Sequence, residues 1–115
     1  FFALNKMQGG EIFIPKAKSY KILDLAKAID PKKKLKIVGK RPGEKVNEVL
    51  IPNVEAKNTY ENKNYYIVTN LNKVFKLSGF KKVPNNFSYV SNKNKFLSPS
   101  QIKKLILDQI KQNFE

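Results

Sequence analysis

The stretch Glu11–Lys40, EIFIPKAKSYKILDLAKAIDPKKKLKIVGK, decides how the rest of the chain is read. EIFIPK follows Gly9-Gly10, is rich in β-branched and aromatic residues and closes on a proline, which predicts a short strand leaving a turn. SYKILDLAKAIDP then changes period. Ile22, Leu25, Ala26 and Ile29 fall at i, i+3, i+4 and i+7, Ser19 is placed to cap the start and Pro31 to stop the run. In KKLKIVGK, Leu35 and Ile37 alternate with lysines up to Gly39, the period of a second strand. Strand, helix and strand joined by short connections predict a right-handed βαβ unit with a parallel pair.

Downstream, Pro42-Gly43 is a strong turn dipeptide, and Val46, Val49 and Leu50 have helical spacing up to Pro52. That predicts a short helix with Glu44 in its first turn, where a carboxylate is favoured. Tyr65–Thr69 reads as one more strand, with Tyr60, Tyr65 and Tyr66 as packing residues. From Asn70 to Asn94 no period emerges, and the stretch reads as extended chain anchored by Phe75, Leu77, Phe80 and Phe87. The chain closes on SPSQIKKLILDQIKQNF. Ser98 caps, Pro99 takes the first helical position, Gln101 completes a capping box, and Ile102, Leu105, Ile106 and Ile110 form a stripe expected to be buried. The expected division is 1–69 as the βαβ lobe, 70–97 as an extended wrapping segment or latch, and 98–115 as the terminal helix.

Composition bounds the function. The 115 residues suffice for one modest core. Without cysteine or histidine, thiolate metal sites, Cys–His and Ser–His arrangements and imidazole bases are excluded. No apolar run approaches the roughly 18 residues of a membrane span, and no signal-peptide pattern stands at the N-terminus, so a cytoplasmic setting is expected. The chain opens on Phe1, which fits a longer reading frame. A net charge of +14 invites a nucleic-acid reading, yet Lys32-Lys33-Lys34, Lys81-Lys82 and Lys103-Lys104 lie on three different segments, as a solvated surface would have them. Tyr89 and Lys93 match a Tyr-x-x-x-Lys spacing, but in NNFSYVSNKNK, a poor helix former.

Among these cations Arg41 is the single arginine, between Lys40 and Pro42-Gly43-Glu44. A guanidinium fork can meet two phosphate oxygens at once, which an ammonium cannot. A surface ion pair with Glu44 or Glu48, worth under about 1 kcal/mol, explains the same residue. Local chemistry leaves both readings open.

A wider pattern adds to this. MQGGEIFIPKAKSYKILDLAKAI, KIVGKRPGEKVNEVLI, NYYIV and FSYVSNKNKFLSPSQIKKLI occur in this order, from Met7 to about Ile106. Together they resemble the C-terminal part of bacterial UDP-N-acetylglucosamine 4,6-dehydratases of the polysaccharide-biosynthesis type, within the extended short-chain dehydrogenase/reductase family. The resemblance implies an α/β fold: a small βαβ-containing substrate-binding lobe ending in an amphipathic helix, without the N-terminal Rossmann domain. It implies a lyase parent, serving capsule or other surface glycans, that oxidises C4 of a UDP-sugar with NADP, eliminates water across C5–C6 and returns the hydride at C6. It places Arg41 on the nucleotide diphosphate and Glu44 on the nucleoside side. Where the family commonly has histidine, this chain has Asn47. Catalytic and cofactor-binding residues are expected in the Rossmann domain and none in this chain, and no metal is expected. The implied partners are a UDP-sugar, the Rossmann domain and, in a homo-oligomeric parent, a neighbouring subunit across which Asn85–Leu97 could latch; a membrane partner is not expected. The competing classes are a basic nucleic-acid-binding module, with a steep salt dependence, and a non-catalytic interaction fragment.

Overall fold

The computed structural model describes residues 1–70 and 78–114. Among these residues it is a mixed α/β structure of three α-helices and two small sheets. The helices are α1 (Phe2–Lys6), α2 (Ile22–Ile29) and α3 (Pro99–Phe114), and the strands β1 (Ile12–Pro15), β2 (Val49–Ile51), β3 (Thr59–Glu61), β4 (Tyr65–Val68), β5 (Lys81–Lys82) and β6 (Tyr89–Val90). The chain forms two compact units, Phe1–Ala17 with Glu48–Ser91, and Lys18–Asn47 with Asn92–Glu115.

The first unit is built on a four-stranded sheet ordered β1-β4-β3-β5, with every pair antiparallel. Gly9 and Gly10 both take positive φ, and the Glu11 carboxylate accepts the amides of Gln8 (3.0 Å) and Gly9 (2.8 Å), folding the turn that delivers β1. At the β3–β4 hairpin, Asn62 Oδ1 accepts the amides of Asn64 and Tyr65, the local bonding that suits asparagine to turns. Period-two alternation then sorts the tyrosines. Tyr65 stacks on Phe2 of α1 (4.6 Å, 7°), while Tyr66 packs against Phe87 (5.0 Å) and Tyr89 (4.9 Å). Both rings pack, as expected. Phe87 is an anchor, as expected; Phe75 and Leu77 lie outside the described residues. Ile51, Ala56, Ile67 and Val83 form the apolar core, and buried Thr59 donates its hydroxyl to the Glu55 carbonyl (2.7 Å).

In the second unit α2 packs against α3. The capping box at α3 is formed: Gln101 donates its amide to Ser98 Oγ (3.3 Å), and the Ser98 amide donates to Gln101 Oε1 (3.0 Å). The stripe expected to be buried is covered only in part. Ile102 is buried, whereas Leu105 and Ile110 are each about half exposed. Ser19 does not cap α2, whose N-cap is Lys21 without a side-chain bond. Ser19 instead bridges to the chain around Phe96, donating its amide to the Lys95 carbonyl and accepting that of Leu97, a partner no local signal announces.

The expected βαβ unit is not formed, and this corrects the fold reading. Residues 34–40 have no regular structure, and every one of them is exposed. A strand needs a neighbour for its backbone groups, and among the described residues of this unit the ladder is limited to the Ser19–Phe96 bridge. Like charges at Lys32, Lys33, Lys34, Lys36 and Lys40 favour water over a paired edge. The helix expected after Gly43 is replaced by β2. Val49–Ile51 pairs antiparallel with β6 across a register shift, which buries Ile51 completely; a second turn of helix would have had to end against Pro52.

Candidate functional site

Arg41 and Glu44, the two residues singled out as substrate-binding, are the ends of one tight turn. The Glu44 amide donates to the Arg41 carbonyl (3.1 Å), and Gly43 at the third position has φ of +85°. With Pro42 fixing the second position, this is the geometry of a type II turn, which asks for glycine where Gly43 stands. The Glu44 carboxylate folds back to accept the Arg41 amide (2.8 Å). The motif therefore staples itself through its backbone and the glutamate side chain.

The turn leaves the guanidinium itself unengaged. Among the described residues the Arg41 guanidinium makes no ion pair with Glu44 or Glu48; the ion pairs present are Lys16–Glu61 and Lys81–Glu61. Arg41 is exposed, so a fork with five donors stands in solvent at the rim of a rigid turn. Glu44 is occupied with the Arg41 amide, and a role on a ligand's nucleoside side would use its other carboxylate oxygen. Tyr89 and Lys93, the Tyr-x-x-x-Lys decoy, are not helical neighbours. Tyr89 lies on β6, and its hydroxyl accepts the Ala17 amide (2.8 Å) and donates to the Ala17 carbonyl (2.7 Å), a structural bond.

A second polar cluster, in the first unit, escapes a reading of the sequence. Sheet register puts Glu61 opposite Tyr66 on one side and Lys81 on the other, and β1 delivers Lys16 to the same face. Lys16 Nζ meets Glu61 Oε2 at 2.6 Å and lies 4.4 Å from the centre of the Tyr66 ring, while Lys81 Nζ is 3.7 Å from Glu61 Oε1. Burial raises the Tyr66 phenol above its ordinary value, against the lowering pull of the Lys16 ammonium. The only local hint is that Glu61 is one of 9 acidic residues, too few to be scattered idly among 23 cations.

The profile of the polysaccharide biosynthesis protein family matches residues 1–70. The chain belongs to that family. UDP-N-acetylglucosamine 4,6-dehydratase (inverting) of Campylobacter jejuni serotype O:2 is 42% identical over 100 residues, which is 78% of this chain and 30% of the relative. UDP-glucose 4-epimerase of Rickettsia bellii is 32% identical over 117 residues, 93% of this chain and 34% of that protein. Among solved structures, Pen from Bacillus thuringiensis superposes with a TM-score of 0.81 at 26% identity, over 94% of this chain and 34% of that one. The chain thus spans about a third of the length of the curated relatives it matches. The resemblance drawn from GGEIFIPK and RPGEK is borne out by these matches. No helix among the described residues is long and apolar enough to cross a membrane.

Proposed function

We propose that this chain is the UDP-sugar-binding C-terminal domain of a nucleotide-sugar 4,6-dehydratase acting in bacterial surface polysaccharide or glycan biosynthesis. The observation that carries the reading is the self-stapled Arg41-Pro42-Gly43-Glu44 turn, in a chain 42% identical to a UDP-N-acetylglucosamine 4,6-dehydratase. The turn holds the backbone of Arg41 in place without engaging its guanidinium. A fork pre-positioned in this way loses less entropy on meeting a diphosphate than a free lysine would. Arg41 takes the diphosphate and Glu44 the nucleoside side.

The five glycines of this chain form no Gly-rich dinucleotide loop, and so its own residues do not fit NADP. The cofactor and the catalytic groups belong, in this proposal, to the remaining two thirds of a cytoplasmic, homo-oligomeric parent. The role assigned to this chain is binding and orientation, and the chemical step is assigned to the parent's other domain.

Calorimetric titration with UDP, alongside an unrelated DNA oligonucleotide, tests the proposal. A charge-assisted bond contributes roughly 1.5–3 kcal/mol, so Arg41→Lys should weaken UDP about tenfold or more and leave the weak DNA binding unchanged. Equal binding of UDP and DNA by both forms, falling steeply with salt, would instead make the net charge of +14 the determinant and overturn the assignment.

A further inference from the structure

We propose that the first unit carries an anion site of its own, built to take a small phosphomonoester. An open cavity of about 420 Å³ is lined by Lys16, Glu61, Asn62, Lys63, Gly79, Phe80 and Lys81. That volume lies within the range of small-molecule sites. Its lining carries three lysines against one glutamate, a net of two positive charges, which matches a phosphomonoester dianion.

The charges are arranged as well as counted. Glu61 divides its carboxylate, one oxygen holding Lys16 at 2.6 Å and the other facing Lys81 at 3.7 Å. Lys16 is half-buried and clamped between Glu61 and the Tyr66 ring, so it serves as a fixed wall. Lys81, with 80% of its side chain exposed, is held at the long end of ion-pair range and can turn to a ligand at small cost. Lys63, exposed on the β3–β4 turn, stands on the same rim. Phe80 adds an apolar wall beside the lysines. Charge together with an aromatic surface in one lining favours a phosphate attached to an organic ring over the bare ion. A nucleic acid is less well served, because its contacts need a continuous basic track and this cavity is a local pit.

The inference rests on the Lys16–Glu61–Lys81 face and not on the UDP reading of Arg41. The test is a titration of the isotopically labelled chain with inorganic phosphate and with glucose 1-phosphate at pH about 7.5, where a phosphomonoester is mainly dianionic. Backbone amide shifts report the site of binding. The expected result is saturable shifts at Asn62, Lys63, Phe80 and Lys81, tighter for glucose 1-phosphate than for phosphate. Lys63→Gln and Lys81→Gln should each weaken binding about tenfold. Lys33→Gln should leave it unchanged, and because the shifts are read residue by residue, failure here is separable from failure of the diphosphate reading. Shifts spread evenly over Lys32–Lys34 and the rest of the basic surface would overturn the proposal, as would undiminished binding in the Lys63→Gln, Lys81→Gln double variant.

Discussion

Ile67 and Ile37 put opposite readings of the chain to one test. Both are isoleucines in short apolar stretches, and both fall on expected strands. In the structure Ile67 is completely buried on β4, whereas Ile37 is 79% exposed on irregular chain. Truncating a buried isoleucine to alanine removes its transfer energy and leaves a cavity, at a cost of roughly 2–5 kcal/mol. Set against a typical stability of about 5–15 kcal/mol, that is a large share. With a urea m-value of about 1.5 kcal/mol/M, a loss of about 3 kcal/mol moves the unfolding midpoint by about 2 M. Ile37→Ala creates no cavity and should stay within about 0.5 kcal/mol, a midpoint shift of about 0.3 M. Urea denaturation followed by circular dichroism, with wild type and both variants side by side, measures the contrast. If Ile37→Ala lost as much as Ile67→Ala, residues 34–38 would be packed and paired, and the description of that stretch as exposed, irregular chain would be refuted.

Three further outcomes follow from particular contacts. Ser98→Ala removes the hydroxyl of the α3 capping box and should cost about 1 kcal/mol in the same assay, while Ser98→Asp should restore most of it; equal losses in both would exclude a capping role. Tyr66 has a folded-state phenol raised above 10.0 mainly by burial. Its protonated form is the one the fold favours, so its contribution is complete below the unfolded value and is lost as pH climbs through the folded one. Phenolate absorbance should therefore show a late-ionising component that disappears in Tyr66→Phe, and a titration curve unchanged in shape by the substitution would disprove the shift. Gly43→Ala meets no atom within 4 Å but forces an L-residue to φ near +85°, so about 1–2 kcal/mol of strain should fall on the turn. UDP affinity should drop, and the urea midpoint should fall by about 1 M at most, because the turn is exposed and outside the core and can give locally; unchanged affinity would mean that the turn does not position Arg41.

What the sequence disclosed divides along a physical line. β1, α2, β4 and α3 are announced by signals within a few residues of each element: the double glycine before Ile12, the i, i+3, i+4 spacing from Ile22, and the Ser98–Gln101 box. The Arg41–Glu44 turn is equally legible, because Pro42-Gly43 admits few backbone geometries. β2, β5 and β6 are only two or three residues long and exist because a partner is present, so nothing local distinguishes Lys81–Lys82 from any exposed lysine pair. Leu35 and Ile37 show the converse error, a strand pattern for which the described residues supply no neighbour. The Lys16–Glu61–Lys81 face was hidden for the same reason. Its members are far apart in sequence and meet only through the register of three strand pairings.

The central claim is that the guanidinium of Arg41 receives the diphosphate of a UDP-sugar. Because the chain has one arginine, a single Nε–Hε resonance in a two-dimensional nitrogen–proton spectrum belongs to Arg41 without further assignment. Following that resonance during titration with UDP, and with uridine as the phosphate-free control, is the most direct measurement. The account predicts a saturable displacement with UDP and none with uridine. A resonance that stays in place while UDP shifts backbone amides elsewhere would contradict it, and would move the diphosphate site away from the turn.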